Sequence, residues 1–229
     1  MRVYEKLTNE TFVADSEKAT LEGKNKFVGF WLFLGGETVL FASLFGTYLA
    51  LKNSTNGGPT SQEMFQMPLV FIMTMLLLTS SLTSVYAMYH MKNFNFKKMQ
   101  LWLLVTVLLG LGFLGFEIYE FYHYAHEFKH TMRSSLGFEI YEFYHYAHEF
   151  KHTMRSSAFG SAFYALVGTH GLHVLFGLCW ILTLIFRNAK RGLNLYNAPK
   201  FYVASIYWHF IDVVWVFIFT VVYLMGMVG

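Results

Sequence analysis

Solid apolar runs, not alternating positions, set the pattern of this chain. Phe27 to Leu51, Pro68 to Met91, Ala158 to Phe186 and Phe201 to Val228 are long and nearly free of charge. A hydrocarbon layer of ~30 Å needs about 20 such residues in a helix, and all four runs meet that length. A fifth run, Leu101 to Phe113, has thirteen residues, roughly 20 Å of helix, and is too short alone. It reaches spanning length only by running on into "LGFEIYEFYHY". The expectation is an all-α integral membrane protein with five transmembrane helices, near 27-51, 68-91, 101-124, 158-186 and 201-228. A β-barrel would show ~10-residue alternating segments, and none occur. The prolines, Pro59, Pro68 and Pro199, sit in loops or at span edges, so no span need be kinked by proline.

The fifth run leads into a repeat. "LGFEIYEFYHYAHEFKHTMRSS" occupies 114-135 and returns unchanged at 136-157. Working repeats diverge, and these copies match at every position. The first copy must finish span three, which places Glu117 and Glu120 one turn apart near the outer interface. The second follows the polar "KHTMRSS" and carries too many charges to cross, so it is expected outside the membrane without chemistry of its own. His123, His126 and His130 share one helical face, and His145, His148 and His152 repeat the set. Imidazoles could bind zinc or copper there, but no open-site or second-shell pattern accompanies them, and no metal is expected.

Charge adds an orientation. Twelve of the 17 lysines and arginines fall in the stretch before span one and in the segments between spans two and three and between spans four and five. Lys52 and the repeated Lys129/Arg133 and Lys151/Arg155 make up the other side. The positive-inside rule then puts the N-terminus in the cytoplasm and the C-terminus outside. Residues 1-26 are mixed and charged and lack the apolar core of a signal peptide; they read as a cytoplasmic tail ahead of a membrane domain at 27-229. The net charge of +3 reflects this asymmetry and points to no nucleic-acid partner. Cys179 is the one cysteine, which excludes an internal disulfide and a two-thiolate metal centre within the chain.

Ionisable side chains inside spans are costly and mark function or helix contacts. Glu37 lies roughly 15 Å into span one, His170 roughly 18 Å into span four and Asp212 roughly 17 Å into span five. His173 is one turn from His170, and His209 one turn from Asp212. These five form an intramembrane polar cluster by depth. Three readings stand on the residues alone: hydrogen bonds between helices, a proton or substrate path, and a metal held by His170, His173 and His209. No H-E-x-x-H motif supports the last. Gly160, Gly168, Gly171 and Gly177 allow close helix approach.

Three stretches read together resemble a family. "FWLFLGGETVLFASLFGTY" (30-48), "GTHGLHVLFG" (168-177) and "YWHFIDVVWVFIF" (207-219), with "GFEIYEFYHY" (115-124), are similar to subunit III of the haem–copper terminal oxidases. Five spans resemble the bacterial form, and within it the aa3-type quinol oxidases of Gram-positive bacteria, with the cytochrome c oxidases as the alternative. The resemblance implies an accessory, non-catalytic subunit of a proton-translocating quinol:oxygen oxidoreductase in the respiratory chain of a bacterial cell membrane. It implies no cofactor in this chain, haem and copper in partner subunit I, and subunits II and IV as further partners. It also implies a V-shaped cleft between spans 1-2 and spans 3-5, filled by phospholipids. Glu37 matches the family's intramembrane glutamate beside subunit I. Arg187, in "IFRNAK", matches a position that binds lipid head groups. A free-standing carrier would show paired repeats with broken helices, which the sequence lacks; a metal-binding membrane enzyme is the remaining alternative.

Overall fold

The computed structural model describes residues 21–52, 54, 67–93, 95–133, 158–189 and 197–228. The helices are α1 (Leu21–Leu51), α2 (Met67–Lys92), α3 (Phe96–Arg133), α4 (Ala158–Asn188) and α5 (Ala198–Ile218). A π-helical turn, Phe219–Leu224, and a short α6, Met225–Val228, continue α5. Among the described residues all regular structure is helical, and five helices are long and apolar enough to cross a membrane. Their spanning stretches hold 26 to 31 residues, roughly 40 Å or more, so each exceeds the hydrocarbon thickness. The chain is an all-α, five-span membrane protein.

Two helices outrun their apolar cores. α1 begins at Leu21 and takes in the last six residues of the stretch read as tail. α3 runs on to Arg133, although its membrane-compatible stretch ends at Tyr122, because no proline or glycine after Gly115 interrupts it. Residues 1–20 and the second copy, 136–157, lie outside the described residues, as do the side chains of His123, His126 and His130.

The chain divides into two compact units, and each of α1 to α5 contributes a part to both. In the first unit (1–38, 75–113 and 173–213), α2 turns its "SSLTS" segment inward. Trp208 Nε1 donates to Ser80 Oγ at 3.0 Å, Ser84 and Ser205 share a hydrogen bond at 2.9 Å, and Thr83 meets Thr106 of α3 at 2.8 Å. Hydroxyls hold membrane helices together because neighbouring lipid offers them no partner. Gly110 lets α3 approach the fully buried Trp208: a Cβ there would lie 2.7 Å from Leu178 Cδ2 and 2.8 Å from the indole. Phe30 of α1 packs edge-on to Trp180 of α4 and Tyr207 of α5.

The second unit (39–74, 114–172 and 214–229) is centred on aromatic rings. Trp215 Nε1 donates to Thr74 Oγ1 at 3.1 Å, joining α5 to α2. Tyr48 of α1 packs on Phe159 of α4, and its hydroxyl points to the Val222 carbonyl at 3.5 Å. The π turn carries Val222 and Tyr223 into the packed interior, and the Tyr223 ring stands edge-on to Phe163. Within each unit α1 meets α4 and α2 meets α5.

Candidate functional site

The buried stripe of α1 runs through Phe30, Leu34 and Phe41, and Glu37 falls on it at i+7 from Phe30. This register turns the carboxylate away from lipid. His173 of α4 answers it, with Nε2 3.0 Å from Glu37 Oε2, the distance of a ring N–H donated to a carboxylate. Tyr207 of α5 leans on the same place, its hydroxyl 3.4 Å from the His173 carbonyl oxygen. Both side chains of the pair are mostly buried, so the contact exchanges little with water.

His209 and Asp212 form a different node of the same unit. Ser81 Oγ of α2 lies 2.7 Å from His209 Nδ1, while Asp212 Oδ2 stands 3.9 Å from that nitrogen, too far for a hydrogen bond. Asp212 is buried. His170 belongs to the second unit, is fully buried, and lies against Trp215 with ring centroids 5.3 Å apart. The printed contacts of the five intramembrane residues are a Glu37–His173 pair and a Ser81–His209–Asp212 node in the first unit, and His170 beside the Trp215 indole in the second. Among the described residues no three of His, Cys, Asp and Glu come together as a metal ion would need.

The two carboxylates expected near the outer interface are buried against neighbouring helices. Glu117 is 3% and Glu120 0% exposed, because α3 turns this i, i+3 edge into the bundle. Glu120 Oε2 accepts a hydrogen bond from the Tyr223 hydroxyl at 3.0 Å. Among the described residues neither oxygen of Glu117 has a hydrogen-bond partner. Its carboxyl group fills the notch over Gly171, where a Cβ would come within 2.5 Å of Oε1. Arg187 is exposed in the last turn of α4, where a cation also complements the helix carbonyl end.

Sequence reasoning missed Ser80, Ser81, Ser84 and Thr74 on α2, and Tyr223 on the π turn. A signal for the first four was present: their spacing keeps them on one helical face. Serine and threonine also bond back to their own helix carbonyls, as Ser80 does to Leu77 at 2.7 Å, so the face alone does not name its partners. Chemically, these pairs can hold a proton or lock helices together; none supplies a nucleophile or redox group aimed at a substrate.

Comparison with known proteins follows the same motifs. The family model described as "Cytochrome c oxidase subunit III" matches residues 125–227. "Cytochrome c oxidase subunit 3" of Bacillus sp. (strain PS3) is 71% identical over the whole of both chains, and the protein of that name from Bacillus subtilis (strain 168) is 72% identical, again over all of both. "Quinol oxidase subunit 3" of Bacillus subtilis (strain 168) is 43% identical over 94% of this chain and 95% of its own length.

Proposed function

The chain belongs to the cytochrome c oxidase subunit III family, and we propose that it serves its oxidase as the subunit that braces subunit I, holds phospholipids and supports proton or oxygen delivery. The observation that supports this reading is the Glu37–His173 contact at 3.0 Å, formed between two of the stretches that carry the family pattern. A hydrogen-bonded carboxylate and imidazole at mid-depth tie α1 to α4, and such contacts contribute about 0.6–1.7 kcal/mol in membranes. Haem and copper would reside in subunit I, with subunits II and IV completing the assembly. The exposed Arg187 offers a planar fork that suits a lipid phosphate, and the lysine and arginine distribution places it on the cytoplasmic face.

For the electron donor, the resemblance pointed to quinol, whereas identity is 71–72% to relatives named for cytochrome c against 43% to one named for quinol. We follow the higher identity and propose a cytochrome c-fed complex in a bacterial cell membrane. Oxygen uptake by the purified complex, fed reduced cytochrome c and then quinol, tests this; uptake with quinol alone would reverse the assignment.

Glu37→Ala is expected to leave haem content unchanged while the oxidase loses activity faster during turnover, by about three- to tenfold in half-life if one interhelical polar contact is lost. Haem loss at the outset would make Glu37 an assembly residue instead. Deleting 136–157 is expected to leave membrane insertion, assembly and oxygen uptake at the parent level. α3 reaches spanning length within the first copy and α4 starts at Ala158, and insertions are tolerated where few buried contacts cross them. Loss of assembly in the deletion variant would show that the second copy is structural.

A further inference from the structure

Two carboxylic acids stand one turn apart in the interior of the second unit, within the membrane-compatible stretch Phe96–Tyr122 of α3. Their settings differ. Glu120 Oε2 accepts a hydrogen bond from the Tyr223 hydroxyl at 3.0 Å, a bond that is stronger to a charged acceptor. Glu117 receives no hydrogen bond at either oxygen from the described residues. It lies against the bare backbone of α4, where a Cβ at Gly171 would come 2.5 Å from Oε1 and 2.7 Å from Oε2. One turn along α4, Gly168 faces the Phe121 ring, and that ring stands edge-on to Tyr164 with centroids 5.3 Å apart. Helix backbone and aromatic rings therefore line this contact.

Among the described residues the second unit buries no lysine or arginine to answer the pair. Its other buried titratable groups are Tyr48 on α1, Tyr164 and His170 on α4, and Tyr223 on the π turn, while the α2 part brings none. The Tyr48 hydroxyl points to the Val222 carbonyl, Tyr223 is engaged by Glu120, and His170 lies against Trp215. Two carboxylates in such surroundings would each lose their hydration and would repel one another. Buried acids resolve that conflict by keeping a proton.

We propose that the Glu117/Glu120 pair is a proton-binding site that holds one proton at neutral pH, and that this proton sits on Glu117. Glu120 carries the charge, because the Tyr223 donor is there to meet it. Glu117, over a glycine and without a donor, is the member that a neutral carboxyl group suits. The ligand is a proton and not a metal ion: among the described residues no third His, Cys, Asp or Glu joins the pair. The π turn makes the two acids unlike, since it carries Tyr223 into the interior and to one of them alone. The site follows from this chain's own packing and does not rest on the accessory role proposed above.

Infrared spectroscopy of the intact oxidase at neutral pH tests this, with isotope-labelled glutamate to single out glutamate side chains. The spectrum of the parent minus that of Glu117→Gln should show one carboxylic-acid C=O band that moves with the label. The same subtraction with Glu120→Gln should show a carboxylate band and no acid band. A carboxylate band lost in Glu117→Gln would mean that this residue is ionised, through His170 or another donor, and would overturn the proposal. An acid band lost in Glu120→Gln, and kept in Glu117→Gln, would put the proton on the wrong member and overturn it too. Glu117→Met serves as the second variant and should lose the same acid band. Failure of both neutral replacements to accumulate also counts against the proposal, because a neutral acid without a donor tolerates them and a paired carboxylate does not.

Discussion

Gly110→Ala is expected to destabilise the chain by about 1–3 kcal/mol, the usual cost of forcing extra volume into a packed interior. The added methyl would meet Leu178 Cδ2 at 2.7 Å and the Trp208 ring at 2.8 Å. Leu178 can yield at its tip only by displacing other atoms, being 1% exposed. The indole is held more firmly, since its Nε1 is bonded to Ser80 and its other side lies against Gly177, where a Cβ would come within 3.2 Å. Alanine gains up to about 1 kcal/mol in helix propensity over glycine, which does not offset the clash. Gly46→Ala is the control, because nothing lies within 4 Å of a Cβ built there; it should be neutral or slightly stabilising. Thermal unfolding of the two variants beside the parent in detergent measures both. Equal midpoints for Gly110→Ala and the parent would mean that the α3–α5 contact relaxes freely.

Opposite signs are expected at two ends of one polar region. Glu117→Met should raise stability by about 1–3 kcal/mol, the penalty of a buried polar group without a hydrogen bond. Methionine keeps the length and unbranched shape of the side chain over Gly171 and brings no oxygen that needs a donor. Tyr223→Phe should lower stability by about 1–3 kcal/mol, because it removes the hydroxyl that donates to Glu120 at 3.0 Å and leaves a buried acceptor deprived of it. The same unfolding assay reads both, and a destabilised Glu117→Met would show that the carboxyl group has a partner in the working protein. An oxidase that becomes more stable yet less active with Glu117→Met would mark this acid as retained for function at a structural cost.

Five spans were legible because run length decides membrane insertion, and run length is a property of the chain alone. The family was legible too, since its motifs are contiguous stretches such as "GTHGLHVLFG". The interior end of α3 was harder: Glu117 and Glu120 stand just where apolar residues give way to charge, and hydropathy assigned them to the interface. Their burial depends on α4 offering Gly171 and on the π turn delivering Tyr223, and neither is written near them in the sequence. For Glu37, His170, His173, His209 and Asp212 the position along each span was legible, but partnership was not. Similar position along different helices leaves the angle around each axis open, and that angle decides whether Glu37 meets His173 at all.

By itself, then, the sequence determined the class, the number of spans and the family, because each is carried by local pattern or contiguous motif. The tertiary structure decided which faces meet. It paired Glu37 with His173, brought Ser81 to His209 and buried Glu117 and Glu120 against neighbouring helices. The physical reason is that lipid is as apolar as most of these side chains, so hydrophobicity drives a helix into the membrane without choosing its neighbours. Hydroxyl, imidazole and glycine contacts make that choice, and each depends on residues far apart in the chain.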